Sequence, residues 1–304
     1  MLTALCETVF QMDLLHTLLL CSHPYMQYGF NLSHKYVLLY SRIMKIKWFG
    51  TATILVEQSG SQLLFDPFFP LNKRVFQPPL EELASTENIL ITHGHFDHIA
   101  HIPAILRHND GRAVVYCTQK PGEGLIAKGV ETRKICEISP GDVLNIGSFT
   151  VRVLKGKHIV FDKALVIKTF FSPRVLVNFG KFIYMLKENK DYGEFGETVV
   201  YDIQSEEKRI LLMGSLNLDE NTDYPKGMDL LILPFQGRSD INTYAMPFID
   251  RLQPKKVLLD HFDNSFPPIS SAVNTEIFVS LMREKHPGIP VICPQPSASW
   301  IDMF

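Results

Sequence analysis

Blocks of positive charge are missing from this chain of 304 residues. Lys and Arg total 30 against 32 Asp and Glu, the net charge is −2, and no run of Lys or Arg exceeds two. A chain that binds a phosphate backbone gathers cations on one face, so no nucleic-acid partner is expected. Cysteine is sparse as well. Cys6, Cys21, Cys117, Cys136 and Cys293 are odd in number and lack metal-ligand spacing. They read as reduced thiols of a cytoplasmic protein, which sets aside a disulfide framework. The apolar stretch at residues 14–21, LLHTLLLC, is far too short to cross a bilayer, and the charges before it are acidic where a signal peptide wants basic ones. No membrane partner is expected.

What is present suits a globular enzyme. Hydrophobic residues make up 46% and charged residues 20%, enough to bury a sizeable core, and the length fits one large α/β domain or two small ones. Residues 1–43 stand apart, with only Glu7, Asp13, Lys35 and Arg42 charged. Met44 opens the strand KIKWFG and reads as a fresh beginning. The expectation is an N-terminal extension over 1–43, either foreign to the native protein or loosely attached to it, followed by one domain over 44–304.

The densest chemistry lies in residues 89–106, ILITHGHFDHIAHIPAIL. Residues 88–91 read as a buried strand and 92–97 as the loop at its end. From His98 the apolar residues recur at helical spacing, with Asp97 placed as an N-cap. In an extended loop, residues two apart point the same way, so His93 and His95 can share one ion, while Asp97 and His98 can reach a second. A polar loop with solvated histidines would suit a single His. Three histidines and one aspartate within six residues, directly after an apolar strand, suit a metal centre.

The run THGHFDH, residues 92–98, resembles the signature of the metallo-β-lactamase superfamily of metal-dependent hydrolases. The resemblance covers about residues 45–295. It implies an αββα four-layer sandwich, and it is closest to the branch that includes ascorbate-6-phosphate lactonase and similar small-molecule enzymes. Strands are read at 45–49, 53–57 and 62–65, and Asp66 ends the third. In the family an Asp at this place supports the metal loop from behind. His158 follows Gly156 and Lys157 after a strand at 150–154, where the family completes its first metal site. His261 follows the strand VLL, where the family places its last ligand.

The resemblance thus implies one site of His93, His95 and His158 and a second of Asp97, His98 and His261. The metal would be Zn²⁺ or Mn²⁺, and a metal-bound hydroxide would attack a small-molecule ester, lactone or phosphoester. Asp97 would orient that hydroxide and take part in proton transfer. One departure stands out. Where the family carries the Asp that bridges the two ions, this chain has Ser215, so one tight site and a weaker second are expected. Ser215 also motivates an alternative, a metal-binding or degenerate member without catalysis. Asp219, four residues on, is within sequence reach of the same place. Arg238, in the loop after a buried strand at 228–234, is a candidate clamp for an anionic substrate.

Residues 159–197 read as a helical insertion. Ser172-Pro173 is a helix start, and residues 175–186, VLVNFGKFIYML, are apolar nearly all round. Packing on the main domain, a homo-oligomer interface and a lid over the metal site all fit. The lack of a basic polar face counts against membrane docking.

Overall fold

Strands that are apolar on both faces dominate the folded chain, and alternate residues of each strand serve different cores. The computed structural model describes residues 43–193, 197–206 and 208–301. The expectation for residues 1–43 therefore lies outside the described residues, apart from Ile43. Among the described residues thirteen strands form two sheets. The first, in order β1 to β6, comprises β1 (Lys45–Gly50), β2 (Thr53–Gln58), β3 (Ser61–Phe65), β4 (Asn88–Leu90), β5 (Val114–Cys117) and β6 (Ile135–Glu137). Its first three strands form the expected antiparallel meander, and β3 to β6 run parallel.

The second sheet holds β7 (Val143–Ile146), β8 (Phe149–Lys155), β9 (Val199–Ser205), β10 (Lys208–Met213), β11 (Leu230–Pro234), β12 (Val257–Asp260) and β13 (Val291–Ile292). Their spatial order runs from β13 back to β7, antiparallel from β7 to β10 and parallel beyond.

Period-two alternation explains the layers. Trp48, Ile54, Val56, Leu63 and Phe65 of the first sheet share one core with Val151, Tyr201, Leu212, Ile232 and Leu258 of the second. The residues between them face outward. Phe49, Leu55 and Leu64 meet Ile99, Ile102 and Ile105 of the helices on one side. Leu211, Leu231 and Leu259 meet Ile249, Phe278 and Met282 on the other. The result is helix, sheet, sheet, helix, the αββα sandwich. Leu212 is 2% exposed at its centre, and truncating such a residue to Ala costs about 2–5 kcal/mol.

Residues 159–197 bridge β8 and β9 with three helices, Lys163–Phe170, Pro173–Val177 and Phe179–Tyr192. Ser172 caps the second, its hydroxyl accepting from the Arg174 amide, as its sequence anticipates. The break at Asn178 divides what reads in sequence as one helix.

Candidate metal centre

The metal-binding motif sits where β4 ends. Thr92 to His95 is a loop with bends at Thr92 and Gly94, and a short helix, Phe96–Ile99, begins immediately after. Asp97 is not its N-cap: His95 holds that position, extended at φ −70° and ψ 143°. Asp97 and His98 instead lie within the first turn. Nor does the helix run on unbroken. It restarts as Ile102–His108, because Pro103 has no N–H to continue the ladder. Gly94 is demanded by packing. A Cβ there would lie 2.2 Å from the Tyr192 carbonyl oxygen, so the end of the Phe179–Tyr192 helix presses on the motif. The Phe96 amide also donates to Asn189 Oδ1 of that helix at 2.8 Å.

Asp66, at the end of β3, holds the motif from behind. Its Oδ1 accepts from the Thr92 amide at 2.8 Å. Its Oδ2 accepts from Thr92 Oγ1 at 2.6 Å and from His98 Nδ1 at 2.8 Å. These bonds fix tautomers. His98 carries its proton on Nδ1, which bares Nε2. Thr92 gives its single proton to Asp66, so at 2.9 Å from His93 Nδ1 it can only accept, and His93 Nε2 is bare as well. His158 Nδ1 donates to the Ile159 carbonyl at 2.9 Å, baring its Nε2.

The three donors of the first group converge. His93 Nε2 and His158 Nε2 each lie 3.1 Å from His95 Nδ1. Two bare acceptors therefore face one nitrogen that carries a single hydrogen at most. A divalent cation among the three satisfies all of them, so the residues fit the ion that the motif implies. Protons compete poorly for this place. Burial, followed by the neighbouring His98 and His95, holds the His93 imidazole well below its ordinary value. Burial and His95 bring His158 down to about 3.

The second group is Asp97, His98 and His261, again with one ligand atom from each within 4.8 Å of the others. Asp97 Oδ2 lies 3.0 Å from His261 Nε2 and 3.6 Å from His98 Nε2. Burial pushes His261 down, but the hydrogen bond and charge of Asp97 outweigh it and hold the imidazole at about 9. Asp97 is buried too, yet His98 and His261 keep its carboxyl well below the usual range. The backbone is left-handed at Asp66 (φ 45°) and at His261 (φ 57°), a conformation costing about 1 kcal/mol each. Both residues turn the chain sharply off a strand end, and the His261 amide is tied to the Thr51 carbonyl at 2.8 Å.

The structure thus gathers all six expected donors into the two expected groups. It also places Ser215 beside them. A Cβ on Gly214 would meet Thr92 Cβ at 2.2 Å, so this strand end lies hard against the motif. The Ser215 hydroxyl accepts from the Ile159 amide at 2.9 Å, which fixes the turn after His158. Asp219 belongs to neither group. Its carboxylate accepts from the Asn221 amide and from Thr222 Oγ1 and pairs with Lys155 and Lys157. Arg238 does not offer the free guanidinium expected of a substrate clamp. It forks onto Asp240 at 2.6 and 2.8 Å, donates to the Val160 carbonyl at 2.7 Å, and stacks 4.3 Å from the Tyr244 ring centroid. Its carboxylate partner is only two residues away, and that proximity was readable in sequence. Thr92, the hydroxyl that relays Asp66 to His93, was not singled out. Neither was Phe161, whose ring lies 5.2 Å from that of His158. It lies three residues after His158, but a lone aromatic there carries no signal of its own in sequence.

A family model described as a β-lactamase superfamily domain matches residues 45–259, from the first strand to the last residue before Asp260. The chain belongs to the metallo-β-lactamase superfamily. Among curated relatives of this superfamily member, a metal-dependent hydrolase of Methanobrevibacter smithii is 23% identical over 83% of this chain and 95% of its own length. One from a Chelativorans species is 30% identical over 38% of this chain and 48% of its own length. Most of the first such relatives are matched, like the latter, over about half their length. Two solved structures share the fold. The metallo-β-lactamase fold protein YhfI of Bacillus subtilis has a TM-score of 0.58 at 15% identity, covering 83% of this chain and 96% of that one. A metallo hydrolase of Ignicoccus hospitalis has a TM-score of 0.55 at 18% identity, covering 85% and 97%.

Proposed function

We propose that this chain is a metal-dependent hydrolase of small-molecule esters, lactones or phosphoesters. The observation that carries the reading is the convergence of His93 Nε2, His95 Nδ1 and His158 Nε2, with the protons of His93 and His158 held on the opposite ring nitrogens. Zinc and manganese both suit this set, zinc favouring the imidazole-rich first group. When bound, such ions supply Lewis acidity, activating water near neutral pH and polarising the oxygen of the scissile group. The protein's own residues do the rest. His93, His95 and His158 would hold the first ion, and Asp97, His98 and His261 the second. Asp97, kept ionised by its two imidazole neighbours, accepts and returns a proton at Oδ2. Asp66 and Thr92 keep the imidazoles in their metal-binding tautomers. The free thiols Cys117, Cys136 and Cys293 fit a cytoplasmic location.

Ser215 favours a second reading. Its hydroxyl is committed to Ile159 and adds no negative charge, which fits a metal-binding member without catalysis. A panel of lactones, esters and phosphodiesters, run on the zinc- and manganese-loaded protein beside His95→Ala, separates the two. Turnover lost in the variant supports the hydrolase. Bound metal without turnover on any class supports the second reading.

A further inference from the structure

The three helices between β8 and β9 present an apolar surface that nothing in the described chain covers. Of the 18 large hydrophobic side chains exposed among the described residues, 12 fall between Val160 and Leu186. Phe171 is 87% exposed, Val177 84% and Leu176 79%. The exposure is patterned. Along Phe179–Tyr192, the residues Phe182, Met185 and Tyr192 turn inward, while Phe179, Ile183 and Leu186 form a second stripe facing outward. Helix Lys163–Phe170 buries none of its residues. An exposed apolar patch of this extent marks a docking surface.

The charges on the same segment select the partner. The three helices carry six cations, Lys163, Lys168, Arg174, Lys181, Lys187 and Lys190, and two carboxylates, Glu188 and Asp191. Both carboxylates already face Lys128, at 2.8 and 3.1 Å. Among the described residues none of the six cations forms an ion pair, and Arg174 binds only the neutral oxygens of Asn264 and Ser270. The local excess of four positive charges sits in a chain whose total is −2. A second copy docking face to face would bring these cations against their own counterparts, with only the two carboxylates already paired to Lys128 to answer them. An anionic surface of lipid headgroups answers them all, and Lys190, next along the Phe179, Ile183, Leu186 stripe, can lie along the apolar surface and extend its ammonium to the headgroups. No described helix is long and apolar enough to cross a membrane.

We infer that residues 163–190 dock this protein onto an anionic membrane surface, with Phe171, Leu176, Val177 and Phe179 entering the headgroup boundary and the lysines meeting acidic lipid. Basic charge is spread over three helices, which is why no single helix reads as basic and amphipathic in sequence. The surface is rooted in the enzyme, because the Phe179–Tyr192 helix ends against Gly94.

Flotation of the full chain with vesicles of phosphatidylcholine, with and without phosphatidylserine, tests the inference. Binding to the anionic vesicles is expected, weakening as salt rises. Lys168→Gln with Lys187→Gln should weaken it about 30-fold. Phe171→Ser with Val177→Ser should abolish it, and since both side chains are exposed the circular dichroism spectrum should be unchanged. Absence of binding, or binding that neither pair of substitutions alters, overturns the inference. So does a dimer in light scattering that Phe171→Ser with Val177→Ser dissociates, because a second copy would then cover the face.

Discussion

Replacing Ser215 by Asp should convert an unequal pair of metal sites into a matched one. Among the six gathered donors only Asp97 is anionic, so two dications would share five neutral imidazoles and a single negative charge. Unit charges 4 Å apart interact by about 4 kcal/mol at an effective dielectric constant of about 20. A carboxylate at such a distance from the second dication gains about twice that. Burying it costs several kcal/mol, and Ser215 is only 5% exposed. The surplus is a few kcal/mol, enough to tighten the second ion about 100-fold. The new carboxylate can keep the bond from the Ile159 amide with one oxygen and offer the other to the ions. Isothermal titration of the metal-free protein with zinc, then manganese, reads both sites. The natural chain should show one tight and one weak site, and Ser215→Asp two tight ones. Two equally tight sites in the natural chain, or an unchanged second Kd in the variant, would refute the charge reasoning.

Other consequences are equally open to measurement. Asp66→Asn should weaken zinc binding about 10–100-fold in chelator competition, since it disturbs the acceptor for His98 and Thr92. His101 is lowered to about 4 by burial and by Lys73, so the unfolded chain takes up a proton from about pH 6.5 that the folded chain refuses until about pH 4. Stability should therefore fall as pH drops through that window, by at most about 3 kcal/mol from this group. His101→Asn, which can still accept from the Phe69 amide, should flatten urea-unfolding stability between those two pH values. Arg238→Ala should lower the melting temperature and leave KM unchanged, because its guanidinium ties Asp240 to Val160. A rise in KM with an unaltered melting temperature would instead return Arg238 to the substrate.

The strands and the metal motif were legible in sequence because their signals are local. Apolar runs at residues 230–234 and 257–259 name buried strands, and THGHFDH names its own chemistry. His158 and His261 needed the family resemblance, since a lone His after a strand carries no signal of its own. What escaped depends on contacts distant in sequence. Pro103 broke a helix that hydrophobic periodicity alone would continue. Asp219 looked available for the metals until the fold set it between Lys155 and Lys157. The helical segment read as greasy but not basic, because its cations are shared among three helices that only the fold brings together.

The first donor group is the foundation of this account, and metal content tests it most directly. The unsubstituted chain and His95→Ala, each stripped and reloaded with zinc, are compared by elemental analysis after extensive dialysis, with circular dichroism as the check on folding. The natural chain should retain one tightly held ion, and the folded variant should retain none in that site and hydrolyse nothing. Zinc retained undiminished by His95→Ala, or no zinc retained by the natural chain, would contradict the assignment of His93, His95 and His158 to a metal.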